Sequence, residues 1–149
     1  MTQEKDINDK NDFMTAFTGK FFGILRWHQL DDLWTKLKAD NTAWYVYPVG
    51  GEVPTEITQG DDLNTFIDEI DVLLRREHDE DYCGIVYAND TETPSFVKIF
   101  DPNNIGTSCS IATKGPLPGW ILSKIPPVNL AEAMQPTANR RKWWQKIFK

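Results

Sequence analysis

The sequence predicts an α+β protein: a four- to five-stranded mixed sheet ending in an antiparallel meander, with two main helices on one face. Two segments, 28–40 and 61–77, carry apolar residues at helical spacing. Three short apolar or β-branched runs follow within residues 82–111, separated by polar, turn-forming residues. Helices with one apolar face need a sheet to cover, and consecutive strands joined by short loops usually pair antiparallel.

Composition indicates one folded domain with an acidic body. The chain has 149 residues, is 40% hydrophobic and carries a formal net charge of −6. Residues 140–149 hold five basic side chains and no acidic one, so residues 1–139 alone sum to −11. A body this acidic is poorly suited to bind nucleic acid or an anionic membrane through its main surface.

The sequence divides into four predicted parts. We expect a disordered N-terminal tail at 1–12, a single α+β domain at 13–127, a linker at 128–139 and a basic aromatic segment at 140–149. The N-terminus lacks the basic and apolar pattern of a secretory signal. No run reaches the ~18 apolar residues of a spanning helix. These features predict a cytoplasmic, reduced protein.

The first elements of the domain follow from aromatic and leucine spacing. Three phenylalanines recur every four residues from Phe13 to Phe21, and we interpret this stretch as a helical turn to Thr18 followed by a strand over 20–26. The helix at 28–40 has one apolar stripe, formed by Leu30, Leu33, Trp34 and Leu37.

A strand at 44–47 is followed by a long loop. The segment 49–60 contains two adjacent glycines and a proline and is about a dozen residues long. Loops of this length without regular structure are uncommon unless they serve a function. The loop is therefore a candidate binding element.

The helix at 61–77 has the clearest pattern in the chain. Asp61 or Asp62 is predicted to cap its start, while Arg75 and Arg76 favour its end through the helix dipole. Its core face is formed by Leu63, Phe66, Ile67, Ile70, Leu73 and Leu74.

The meander is predicted at 82–88, 95–100 and 107–111. Strict alternation in the first strand places Cys83, Ile85 and Tyr87 on one face. Beyond it, the segment 114–120 has two prolines and two glycines, which argue against a helix or a central strand. We expect the apolar residues that follow this segment to cover a sheet edge or one end of the core; they are Ile121, Leu122 and Ile125.

One polar cluster raises the alternative of a small enzyme or metal-binding protein. His78 lies among four acidic residues, Cys83 follows closely, and Cys109 comes from the third predicted strand. The spacing does not match the usual zinc motifs, and the neighbouring acids would oppose a reactive thiolate. We favour a solvated acidic loop beside a structural cysteine, and we predict no cofactor and no metal site.

The C-terminal segment is the most distinctive feature of the sequence. On a helical projection, its four large apolar side chains fall on one arc, which only Arg140 interrupts, and the other cations fall on the rest. The residues predicted to bind a partner are Arg140, Arg141, Lys142, Trp143, Trp144, Lys146, Ile147 and Phe148.

These features predict a small non-catalytic interaction or accessory protein. It would engage a partner protein through residues 140–149 and the adjacent loop at 49–60. Docking of the segment on its own acidic body is the competing interpretation. A membrane surface is a weaker candidate, and nucleic acid is the weakest, because the acidic body is repelled by both.

Overall fold

The computed structural model describes residues 12–40, 43–103 and 117–133. The helices are α1 (residues 12–17), α2 (Trp27–Ala39), α3 (Asp61–Glu77) and α4 (Leu130–Ala133). The strands are β1 (Phe22–Ile24), β2 (Tyr45–Pro48), β3 (Val86–Ala88), β4 (Phe96–Ile99) and β5 (Trp120–Ser123). The predicted N-terminal tail and the segment 140–149 fall outside the described residues, apart from Asp12, which begins α1.

The strands form one five-stranded sheet in the order β1-β3-β4-β5-β2. This confirms the α+β class and the predicted number of strands. Every described pairing is antiparallel, so the sheet is not mixed. β3 and β4 are the first two strands of the predicted meander, and the third, predicted at 107–111, lies outside the described residues.

The two main helices lie on one face of the sheet, as predicted. Trp34 of α2 donates its indole N–H to the Asp71 carboxylate of α3 at 3.0 Å. Arg75 of α3 pairs across to Asp31 of α2 at 2.6 Å and with Asp71 of its own helix at 2.9 Å. The first core cluster joins these helices to β3, β4 and β5, and includes Leu33, Leu37, Ile67, Ile70, Leu74, Val86, Val97, Ile99 and Leu122.

The opposite face of the sheet is also covered. α1 and α4 contribute to a second core cluster whose buried members are Phe13, Phe17, Tyr47, Phe96, Ile121 and Leu130. Alternation divides the strands between the clusters, since Ile121 faces the second and Leu122 the first. The described residues therefore form three layers, with the sheet between α2 and α3 on one side and α1 and α4 on the other.

The segment Trp120–Ser123 corrects a prediction. The prolines and glycines before it argued against a central strand, yet β5 lies inside the sheet between β4 and β2. The turn-forming residues end at Gly119, and the four residues after them have no proline. The expected role at a sheet edge or core end is wrong for Ile121 and Leu122.

The predicted alternation from Cys83 to Tyr87 is also wrong. Cys83 and Ile85 belong to the first core cluster together with Val86, whereas Tyr87 points to the other face. Gly84 has φ +69°, a left-handed conformation that turns the backbone and interrupts the strand pattern. Regular pairing with β4 therefore begins only at Val86.

The start of α3 differs from the prediction in its cap. Gly60, with φ +63°, is the N-cap residue, and no side chain caps the helix there. Asp61 and Asp62 lie within the first turn instead, and Arg75 and Arg76 lie in the last turn as predicted. Both pairs favour the helix through its dipole.

Candidate functional site

The predicted partner-binding residues 140–149 lie outside the described residues, but the element that precedes them is described. Leu130, at the start of α4, is fully buried, and its backbone N–H donates to the Tyr47 hydroxyl at 3.2 Å. Val49 and Val53 of the predicted binding loop pack against the same core cluster. The last described helix therefore lies beside this loop.

The loop at 49–60 is attached to the core at both of its ends. The Thr58 N–H donates to the carbonyl of Trp44 at 2.7 Å, and Trp44 itself is fully buried. Ile57, next to this attachment, keeps 42% of its surface exposed. Ile57 thus exposes an apolar side chain to solvent, while the hydrogen bond from Thr58 to the buried Trp44 holds the neighbouring backbone in position.

A groove runs along the side of α3 that faces away from α2. Its volume is about 560 Å³, which falls in the size range of ligand sites. Trp120, at the start of β5, forms the described part of the opposite wall. We call this feature the α3 groove; its lining residues are Phe66, Asp68, Glu69, Ile70, Val72, Leu73, Arg76 and Trp120.

The floor of the α3 groove is apolar and its rim is charged. Phe66 and Leu73, two helical turns apart, and Trp120 are half-buried against the first core cluster. Val72 is 60% exposed, although it is apolar. The charged lining residues of the groove are Asp68, which pairs with Lys38 of α2, together with Glu69 and Arg76. The groove suits a ligand with apolar side chains.

Cys83 does not form a reactive site. Its side chain is fully buried in the first core cluster, and its backbone N–H donates to the Leu25 carbonyl at 2.7 Å. Burial raises the pKa of the thiol, because removal from water disfavours the thiolate. Cys83 therefore behaves as a small apolar core residue, as the sequence suggested. Cys109 lies outside the described residues.

His78 is half-buried at the end of α3, between two aromatic rings. Its ring centroid lies 6.1 Å from that of Trp27 and 5.7 Å from that of Tyr82, both edge to face. The buried Nε2 atom has no hydrogen-bond partner among the described residues. Among all the residues that the structure describes, no three His, Cys, Asp or Glu side chains lie close enough together to hold a metal ion.

Lys98 is an unusual residue that the sequence analysis did not single out. It lies in the middle of β4, on the face covered by α1, and its Nζ is 4.1 Å from the Phe17 ring centroid and 4.0 Å from that of Phe21. Burial lowers the pKa of this amine from 10.5 to about 8. The one signal in the sequence was a lysine interrupting an otherwise apolar strand.

Comparisons with protein-family models, with curated proteins and with solved structures found no match to this chain. Among the described residues, no helix has both the length and the apolar character needed to cross a bilayer.

Proposed function

We propose that this protein is a small non-catalytic interaction protein. It engages a partner protein through its basic, aromatic C-terminal segment, residues 140–149, together with the adjacent loop at 49–60.

The position of α4 against the loop supports this proposal. Leu130 packs in the same cluster as Val49 and Val53, so the last described helix before the segment lies beside the loop that exposes Ile57. Protein interfaces combine a central apolar or aromatic anchor with a charged rim. The loop contributes an apolar contact, and the segment contributes two tryptophans and five cations.

The distribution of charge supports the same function. The described residues carry nineteen acidic and eight basic side chains, whereas residues 140–149 carry only basic ones. A partner with an acidic face is attracted by the segment and repelled by the body. This combination favours one orientation of binding and excludes many others.

The alternative function, a small enzyme or metal-binding protein using His78, Cys83 and Cys109, has less support. A nucleophilic or zinc-bound cysteine must reach the thiolate form. Burial of Cys83 in the core opposes that ionisation and also separates the sulfur from any substrate.

Affinity capture from the native cell tests the proposed function. We expect the full-length chain to recover a partner that a chain ending at Asn139 does not recover. Thermal melts of both proteins show whether the shorter chain is folded. Equal recovery of the partner by both chains would exclude the segment as the binding element.

Two further variants separate the contributions of the segment and the loop. Replacing both Trp143 and Trp144 with serine keeps all five cations and removes the aromatic anchors, so recovery should fall strongly. Ile57→Ser should reduce recovery to a smaller extent. Leu25→Ser is the matched control, because Leu25 is an exposed apolar residue that follows β1, at the opposite edge of the sheet.

A further inference from the structure

We infer that Lys98 is an acylation site, at which the side-chain amine accepts a short acyl group from a thioester. The reaction is independent of the proposed partner binding, because it uses neither residues 140–149 nor the loop at 49–60. Three features support it: the place of Lys98 on the sheet, the surroundings of its amine and the charge of the product.

Lys98 lies where the cover over one face of the sheet ends. The strand pairings place five residues in one row across this face: Tyr47, Ile121, Lys98, Tyr87 and Gly23. Burial decreases along this row, since the first two residues belong to the second core cluster, the next two are half-buried and Gly23 is exposed. A small reagent therefore has access to the Lys98 side chain from the β1 side of the sheet.

The amine of Lys98 lies against aromatic rings rather than against a carboxylate. Its Nζ is about 4 Å from the ring centroids of Phe17 and Phe21, at 4.1 Å and 4.0 Å. The ion pairs within the described part of the chain do not include Lys98, although three other lysines form them: Lys36, Lys38 and Lys124. Removal from water, with no such pair in compensation, disfavours the ammonium form and lowers the pKa of Lys98 to about 8.

The neutral amine is the form that acts as a nucleophile, and a lysine is activated by loss of water around it. The lone pair of Nζ attacks the carbonyl carbon of the thioester, so a C–N bond forms and the C–S bond breaks. The nitrogen loses one proton and the departing thiolate takes up one. The products are a free thiol and an amide on Lys98.

The uncharged product fits the surroundings of this side chain. Acylation replaces an ammonium group with an amide and so removes the charge that burial disfavours. Reaction of the same amine with carbon dioxide would instead form an anionic carbamate, and burial of an anion without a cationic partner is unfavourable. The aromatic surroundings therefore favour acyl transfer at Lys98.

Acetylation of the purified full-length protein with S-acetyl-N-acetylcysteamine tests the inference, with the product at each lysine measured by peptide mass spectrometry. Lys20, an exposed lysine, is the internal reference. At pH 7 an amine with a pKa of about 8 is roughly one-tenth neutral, whereas an ordinary lysine is neutral in about a few parts in ten thousand. A weaker base is also a weaker nucleophile, so we expect Lys98 to react about tenfold faster than Lys20. Equal or slower reaction at Lys98 would overturn the inference.

Phe21→Ser distinguishes activation by burial from simple access. The substitution admits water to Nζ, so it should raise the pKa of Lys98 and slow its acetylation several-fold at pH 7. If the Phe21 ring only blocks the amine, Lys98 will react faster in this variant, which would contradict the inference. Phe22→Ser is the matched control, because Phe22 is 45% exposed and its ring lies near Lys20 instead. It should leave the rate at Lys98 unchanged.

The pH profile of acetylation in the wild-type protein gives a second test that needs no variant. The rate at Lys98 should level off above about pH 8, where most of its amine is already neutral, whereas the rate at an ordinary lysine rises further. A rate at Lys98 that still rises in parallel with that at Lys20 above about pH 9 would overturn the inference. If thermal melts show that Phe21→Ser is unfolded, this profile is the deciding measurement.

Discussion

Lys98 combines two opposing effects within one side chain. Loss of water around its amine destabilises the charged form, whereas the Phe17 and Phe21 rings attract it. Burial lowers the pKa of the amine to about 8. The sequence could not predict this, because the position of Lys98 between two rings depends on how α1 packs on the sheet.

The pH dependence of stability follows from the lowered pKa of Lys98. The unfolded chain holds more protons than the folded one between pH 8 and 10.5, so this residue makes the free energy of unfolding rise with pH in that window. Its destabilising effect is complete below pH 8. We expect Lys98→Met to remove the rise and to stabilise the protein by about 1 kcal/mol near pH 7, after allowance for solvent screening of a half-buried group. Urea titrations across this pH range measure the difference.

The matched control for Lys98→Met is Lys20→Met, which replaces an exposed lysine over the Phe22 ring. This variant should keep the pH-dependent rise of the wild type. A Lys98→Met protein that is clearly less stable at pH 7 would show that attraction by the rings exceeds desolvation.

Cys83→Ala tests whether the buried thiol is structural. The side chain is fully enclosed, and alanine leaves a small cavity, so we expect a loss of about 1 kcal/mol or somewhat more. Zinc titration of both proteins should give the same result. Tight 1:1 zinc binding that disappears in the variant would contradict the structural role.

At the level of elements, α3 is expected to be the centre of stability. Ile70 is 4% exposed and lies midway along the buried stripe, so Ile70→Ala should lower the free energy of unfolding by ~2–5 kcal/mol. Val72→Ala, at an exposed position of the same helix, should change it by less than about 0.5 kcal/mol. An urea midpoint for Ile70→Ala within error of the wild type would show that the stripe is not the core.

The helices were predictable because one face of each is exposed. α2 and α3 keep the periodicity of apolar residues that an amphipathic helix shows, and their observed ends agree with the sequence to within about one residue. β5 gave no such signal. Both of its faces are buried, so Ile121 and Leu122 are adjacent apolar residues rather than members of an alternating pattern.

At the scale of the whole molecule, the candidate site was only partly predictable. The composition of residues 140–149 and the length of the loop at 49–60 are local properties and could be seen in the sequence. The α3 groove needs Trp120 beside α3, which depends on pairing between strands far apart in the chain. Such pairing depends on tertiary packing and leaves no local pattern.

The charge distribution also predicts how strongly the whole protein binds an anionic membrane. Five cations near an anionic surface contribute about 1 kcal/mol each, while the acidic body is repelled by the same surface. We therefore expect only weak sedimentation with anionic vesicles at physiological salt, and less as salt is raised. Strong sedimentation under these conditions would favour a membrane surface over a protein partner.

The order in which the strands are synthesised differs from their order in the sheet. β2 is made early, but the described strand with which it pairs, β5, follows both β3 and β4. Until Trp120–Ser123 is synthesised, β2 has no described strand with which to pair. Leu130 then completes the second core cluster together with Phe13, so the two ends of the described chain meet last. Non-local contacts of this kind slow folding, and β4 lacks its described partner on one side until β5 is made.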